Sequence, residues 1–376
     1  MAYFHGRSYD LTVYKDDASS LTELSSVVPD FTAGIGGFDF CNMIDWVVNQ
    51  STGIGYFLSE QAFNGSGQNP PELMRLNLGT FSAGISSTVV SDITSVGAGA
   101  RLVLDTSAGN IYAFGAYTDS GTGIDHITLT KFRLSDMANI GTCSIANAFW
   151  SAGTYQQRNG CNHDSTYVYI PLTEYSGTLK SYLVRIRKSD MTDQGTIDLD
   201  AAGFKTPSDS YILSGYLYLG AQKKSDNKPV LLKIDLSTFT YSTFVYLTSL
   251  ASEQVVGVCG DGTTIYTSTT GFGGTAGSLN KVDISGFSAG SPVSLTAGNP
   301  VGVFLSLSQT NELLGITAAT DASKRITKFK FSTTDLSTTT STQTTYANSF
   351  SIPAPLIDYT VSAGSSRRRV NVFVNA

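Results

Sequence analysis

The chain has 376 residues, of which 41% are hydrophobic, 11% aromatic and 14% charged, with a net charge of −6. That apolar content is enough for a substantial core, while a charged fraction well below the usual quarter of a globular chain leaves Ser, Thr, Gly and Asn to cover the surface. Lys and Arg are thinly spread without a basic face, which excludes nucleic acid as the natural partner, and a surface short of repelling charge favours multi-copy assembly.

In chain order, the start "MAYFHGRSYDLTVYKDD" has no basic segment followed by an apolar one, and no window approaches about 18 consecutive apolar residues. Neither Sec export nor membrane insertion is expected. Tyr9 to Val28 then alternates apolar and polar residues, breaks at a turn and alternates again, a shape that recurs along the chain. Aligned on a basic residue, it reads "RLNLGTF" from Arg75, "KFRLSDM" from Lys131, "RIRKSDM" from Arg185, "KIDLSTF" from Lys233, "KVDISGF" from Lys281 and "KFKFSTT" from Lys328, at spacings of 56, 54, 48, 48 and 47 residues. A second marker precedes each anchor: Tyr56, Tyr112, Tyr169, Tyr218 and Tyr266, with Leu314 in the sixth copy.

A period near 50 built from short alternating runs and Gly, Ser or Asn turns predicts four strands per unit, the blade of a β-propeller. In one unit strand A is Val255 to Cys259, the A-to-B hairpin is "GDGT", strand B is "TIYTST", strand C is "LNKVDI" and strand D lies near "SPVSL". Asp-Gly is a hairpin signal because Gly accepts the positive φ that such turns require. Six units fill about 31 to 350. The leftover ends complement each other: residues 8–30 have the C-turn-D shape, and 354–376, "APLIDYTVSAGSSRRRVNVFVNA", the A-turn-B shape. Joined, they predict a seventh blade in a single domain spanning 1–376, with strand B at Val370 to Val374 pairing strand C at Tyr9 to Tyr14. The fold class is all-β, a seven-bladed propeller without open sheet edges.

Signals for chemistry are few. His5, His126 and His163 fall in separate parts of this map, so no metal or triad site converges on them, and Asn162-His163-Asp164 reads as hairpin chemistry. Cys41, Cys143, Cys161 and Cys259 show no C-x-x-C spacing and read as buried thiols, a Cys143 to Cys161 bridge being the alternative. "GFGGTAG" lacks the following helix of a phosphate loop, and no repeated signature of sialidase, kelch or WD40 propellers is present. Inner strands at Met43 to Asn49, Arg101 to Thr106 and Gly302 to Gln309 offer Asp45, Arg101 and Asp105 to a central channel, without an acid/base pair. Neither cofactor nor metal is expected, although Asp119, Asp125 and Glu174 sit in neighbouring loops with oxygen ligands suited to calcium. The long B-to-C loops carry the binding candidates: Phe63, Tyr117, Asp119, Asp125, Glu174, Tyr175 and Phe272. They share one face with the D-to-A connections, the other two turn sets occupying the opposite face.

The opening "MAYFHGRSYDLTV" is similar to the M-A-x-F-H-G-K start of many tailed-phage tail-tube and minor virion proteins, with Arg7 in place of Lys. The resemblance covers about a dozen residues. It implies a non-enzymatic virion component, with other virion proteins and a host-surface glycan or protein as partners. The contrasting expectation is a propeller that binds or processes glycans through its central channel.

Overall fold

The structure, a computed structural model, describes residues 2–6, 13–27, 43–59, 62–63, 68–69, 72–81, 86–90, 101–118, 125–146, 160–175, 179–248, 251, 253–270, 277–295, 304–308, 312–318, 325–345 and 357–359. Every regular element among them is a strand. Six antiparallel sheets are built from consecutive strands in the order A-B-C-D. Blade 1 comprises Met43–Asn49, Ile54–Ser59, Glu72–Asn77 and Ser86–Val89, with a short extra hairpin, Ala62–Phe63 with Gln68–Asn69, between B and C. Blade 2 comprises Arg101–Asp105, Asn110–Thr118, Asp125–Arg133 and Asn139–Ala146. In blade 3, Asn162–His163 precedes Tyr167–Tyr175, Leu179–Arg187 and Thr192–Asp198.

Blade 4 splits its inner strand into Phe204–Lys205 and Ser210–Leu213, followed by Tyr216–Lys223, Pro229–Asp235 and Thr240–Tyr246. Blade 5 has Gln254–Gly260, Thr264–Thr270 and Ser278–Asp283, with an outer strand broken into Ser288–Ala289 and Val293–Ser294. Blade 6 has Phe304–Leu307, Leu313–Ala318, Arg325–Phe331 and Thr338–Thr345.

The two markers of the repeat are one cross-strand pair. Tyr56 stands opposite Arg75, Tyr112 opposite Lys131, Tyr169 opposite Arg185, Tyr218 opposite Lys233 and Tyr266 opposite Lys281. Leu314 stands opposite Lys330, so the sixth anchor is Lys330 and not Lys328. "KFKF" offers two lysines on the same strand face, and only the pairing register separates them. Tyr169 and Tyr266 also donate their hydroxyls to the A-to-B turn carboxylates of Asp164 (2.6 Å) and Asp261 (2.8 Å).

Six residues after each anchor, at the C-to-D turn, the chain turns through a left-handed residue: Phe81, Met137, Met191, Phe239, Phe287 and Leu336, with φ between 43° and 62°. That conformation costs a non-glycine residue about 1–2 kcal/mol. It is retained because it drives an apolar side chain into the core shared with the preceding blade. Met137 packs with Val47 and Tyr56 of blade 1, Met191 with Val103 and Tyr112 of blade 2, and Phe239 with Tyr169 and Leu183 of blade 3. The preceding blade's anchor reaches back to the same turn. Lys131 Nζ donates to Lys188 O (2.8 Å), Arg185 lies 4.3 Å from the Phe239 ring centroid, and Lys281 Nζ donates to Thr333 O (2.6 Å) and Thr334 O (3.0 Å).

The chain ends form a further four-stranded sheet, ordered Glu23–Val27, Val13–Asp17, Ala2–Gly6, Ile357–Tyr359. It repeats the blade pattern: Phe4 stands opposite Lys15, and Leu21, six residues on, has φ 60°. The split differs from expectation. The N-terminal segment supplies strands B, C and D and the C-terminal segment supplies A, because "AYFHG" places Phe4 where the other blades hold their B-strand tyrosine. Tyr3 pairs Asp358, and Val370 to Val374, expected as strand B, lies outside the described residues.

The core lies between blades. Separate buried clusters join blades 1 and 2, 2 and 3, 3 and 4, and 4 and 5. Tyr14 and Leu21 of the terminal sheet pack with Leu314 and Ile316 of blade 6, and Val13 belongs to the cluster that contains Trp46 and Phe57 of blade 1. Lys328, displaced from the anchor position, takes a different role. Fully buried, it donates to Asp16 Oδ1 at 2.8 Å and lies 3.6 Å from Glu23, joining blade 6 to the terminal sheet.

Two outcomes follow from this joint. Lys328→Met leaves the buried Asp16 carboxylate without its cation and is expected to lower stability by about 3–5 kcal/mol in denaturant melts, with Asp16→Leu added to it restoring much of the loss. Removal of residues 1–6 takes one of the two inner strands from the terminal sheet and should abolish cooperative melting.

Candidate functional site

Three charged groups of the inner strands were expected to face a channel, and the structure separates them into two networks. The first is built at one repeated position. Asp45 accepts the amide of Trp46 on Oδ1 (2.9 Å) and that of Leu102 in blade 2 on Oδ2 (2.9 Å). Asp209 does the same, taking Ser210 N (2.9 Å) on Oδ1 and Val258 N of blade 5 (2.8 Å) on Oδ2. Asn162 accepts His163 N (2.9 Å) and donates to Ser210 O of blade 4 (3.3 Å). Each side chain thus ties its own inner strand to that of the next blade.

Blade 2 holds Arg101 at this position, 1% exposed. Burial lowers the pKa of its guanidinium, and Asp45, the Cys161 thiol and Asp209 act against that shift. Cys161, wholly buried, is pushed upward by the same desolvation and stays a thiol. A Cβ on Gly160 would lie 2.1 Å from Asp209 Oδ1, so only glycine lets the inner strands of blades 3 and 4 approach this closely. Blade 5 has Gly257 here, where a Cβ would meet Leu305 N at 2.8 Å.

Asp105 belongs to the second network, toward the A-to-B turns. Its Oδ1 accepts Ser107 Oγ (2.6 Å) and Ala108 N (3.0 Å), and its Oδ2 accepts Lys188 Nζ (2.5 Å). Lys188, a C-to-D turn residue of blade 3, also donates to Asp164 O (2.5 Å) and faces His163 Nδ1 (3.3 Å). His163 Nε2 lies 3.1 Å from Leu104 O, and Nδ1 lies 3.0 Å from Asp164 O as well as facing Lys188. Burial, then Lys188, hold the His163 pKa below its ordinary value. The groups link blades 2 and 3, with Lys188 donating to both Asp105 and Asp164 O between them.

Asp119 and Phe272 are outside the described residues, as are the side chains of Phe63, Tyr117, Asp125, Glu174 and Tyr175. In the backbone Tyr117 stands opposite His126 and Asp125 opposite Thr118, while Glu174 pairs Lys180, Tyr175 pairs Leu179 and Phe63 pairs Gln68. Asp125, His126, Glu174 and Tyr175 therefore extend hairpin strands instead of sitting in loops. In blade 4, where the B-to-C turn is described throughout, Lys224 pairs with Asp200 of the D-to-A connection (2.8 Å) and its amide donates to Gly203 O (2.9 Å), so those two segments share a face. On the other face A-to-B glycines meet C-to-D turns: Leu134 N donates to Gly109 O and Leu236 N to Gly215 O. Cys143, Cys161 and Cys259 are buried free thiols, not a bridge. No group of three or more His, Cys, Asp or Glu able to hold a metal occurs among the described residues.

Neither a protein-family model nor a curated protein sequence matches the chain. Solved structures do. The periplasmic gluconolactonase of Pseudomonas aeruginosa is similar with a TM-score of 0.64 at 11% identity, covering 94% of this chain and 98% of that one. The fold is a β-propeller. A protein from Lactobacillus plantarum is similar with a TM-score of 0.60 at 13% identity, over 95% of this chain and 100% of that one. A prolyl endopeptidase is similar with a TM-score of 0.55 at 9% identity over 91% of this chain, which spans 47% of the enzyme's length. Enzymes thus figure among the similar propellers, and at these identities the likeness concerns the fold.

The second network gives a pH dependence. His163 has a folded pKa below its unfolded value, so its contribution is complete above about pH 6.5 and is lost as pH falls through the lower folded pKa, where a second positive charge would meet Lys188. Melting temperature followed below pH 6.5 is expected to fall more steeply for the natural protein than for His163→Gln.

Proposed function

We propose that this protein is a non-enzymatic scaffold: a seven-bladed ring in one domain, with the terminal sheet as its seventh blade, that serves in a virion as a platform for assembly or host-surface recognition. The observation that carries this reading is how the inner-strand charges are used. Both oxygens of Asp45 and of Asp209 are engaged by backbone amides, and Lys188 is committed to Asp105, Asp164 and His163. An acid/base catalyst needs a group free to exchange a proton with substrate, and these groups hold blades together instead.

The low-charge composition and the short N-terminal similarity to tailed-phage proteins support the virion role. So does the outer strand Thr338–Thr345, "TTTSTQTT", which carries no charge along a sheet edge. Recognition on this reading falls to the B-to-C face through Phe63, Tyr117, Asp119, Asp125, Glu174, Tyr175 and Phe272, toward other virion proteins and a host-surface glycan or protein. The buried Arg101 at the centre favours the contrasting reading, a channel that binds or processes a glycan or sugar lactone.

Two measurements test the proposal. Incubated with a panel of glycans and lactones, the protein is expected to turn over none of them, and purified particles are expected to contain the chain by mass spectrometry. Tyr175→Ala combined with Phe272→Ala should weaken attachment to particles or host surface about tenfold, near 1.4 kcal/mol, with melting unchanged. Turnover of any panel member, or absence of the chain from every particle preparation, overturns it.

A further inference from the structure

The repeat allows each buried position of blade 5 to be compared with its counterparts. One residue beyond the B-strand tyrosine and one before the C-strand anchor, blade 1 has Phe57 and Met74, blade 3 Ile170 and Val184, blade 4 Leu219 and Leu232 and blade 6 Gly315 and Phe329, while blade 2 has Ala113 beside a single polar residue, Thr130. Blade 5 has Thr267 and Asn280, both wholly buried and directly paired across the strands. Their face continues Ile265, Val258 and Val282, which pack on Tyr218 and Leu231 of blade 4. Polar groups therefore replace core at the junction of blades 4 and 5.

Glu253, 1% exposed, enters this junction beside them. Its Oε2 accepts the Thr269 hydroxyl (2.6 Å), which shares a hydrogen bond with Ser278 Oγ (2.7 Å). Its backbone oxygen accepts Gln222 Nε2 of blade 4 at 2.7 Å. Three buried oxygens have no hydrogen-bond partner: Glu253 Oε1, Asn280 Oδ1 and Thr267 Oγ1. No ion pair among the described residues includes Glu253.

A carboxylate removed from water without a compensating charge is strongly disfavoured. The groups around it are hydroxyl and amide oxygens, and oxygen-only surroundings select a hard cation over a transition metal. One carboxylate supplies a single negative charge. We propose that the junction of blades 4 and 5 binds a sodium-class monovalent cation through Glu253, Asn280 and Thr267, and that this ion ties the two blades together.

The experiment compares the full chain in sodium chloride with choline chloride at equal ionic strength, choline being too large to enter. Binding to the folded state alone raises stability with ion concentration, and a sodium-dependent rise in melting temperature of about 2 °C or more is expected. Glu253→Gln and Thr267→Val should each remove the sodium dependence. Crystals soaked in thallium(I), which has the same charge and an anomalous signal, should show a peak between the three oxygens. Equal melting in both salts, stabilisation by calcium but not sodium, or water without anomalous signal at that position overturns the assignment. Because none of these readouts involves glycans, lactones or particles, the outcome is separate from that of the proposed function.

Discussion

The structure depends on the contact between one blade's C-strand cation and the next blade's C-to-D turn. A β-sheet with two apolar faces cannot stand alone, so each blade must be covered on both sides, and the buried clusters lie between sheets and not within them. The turn supplies the apolar plug and the neighbouring cation covers it, as Arg185 does over Phe239. The left-handed backbone at the plug is a local cost offset by a contact between blades, so the turn sequence encodes assembly of the ring as much as reversal of the chain.

The inner strands solve a related problem by other means. Each inner strand is an edge of its own sheet, so the amides on its open side have no partner strand within the blade. Asp45 and Asp209 accept those amides across the blade boundary, and Gly160 and Gly257 remove the side chain that would block the approach. Carboxylates that would signal catalysis in an open cleft act here as backbone acceptors. An acidic residue on an inner strand is therefore a poor indicator of activity until the fate of both its oxygens is known.

Much of this was legible in the sequence. The Tyr and Lys or Arg markers lie on facing positions of strands B and C, and their spacing located six blades because each marker serves the same contact every time. The sixth anchor is ambiguous by two residues in the sequence because Lys328 and Lys330 share a strand face, and alternation cannot rank them. The split of the terminal sheet is not legible, because Tyr3 and Phe4 precede an alternating run long enough to look complete. Asp45, Asn162 and Asp209 recur at one inner-strand position, a signal present in the sequence but hidden by aligning on strand C. The Lys188 network was not legible, because it joins a turn of blade 3 to a strand of blade 2 through bonds that follow no period.

The terminal sheet also bears on how the molecule is made. Ala2 and Tyr359 are paired, 357 positions apart in the chain. On a ribosome adding about 5–20 residues per second, the first three strands wait tens of seconds for the fourth. During that interval the edge of Ala2–Gly6 is available to any other extended segment, including the same segment of a second nascent chain. Completion of this sheet is thus a race between the arrival of Ile357–Tyr359 and pairing in trans, and slower synthesis favours the wrong winner.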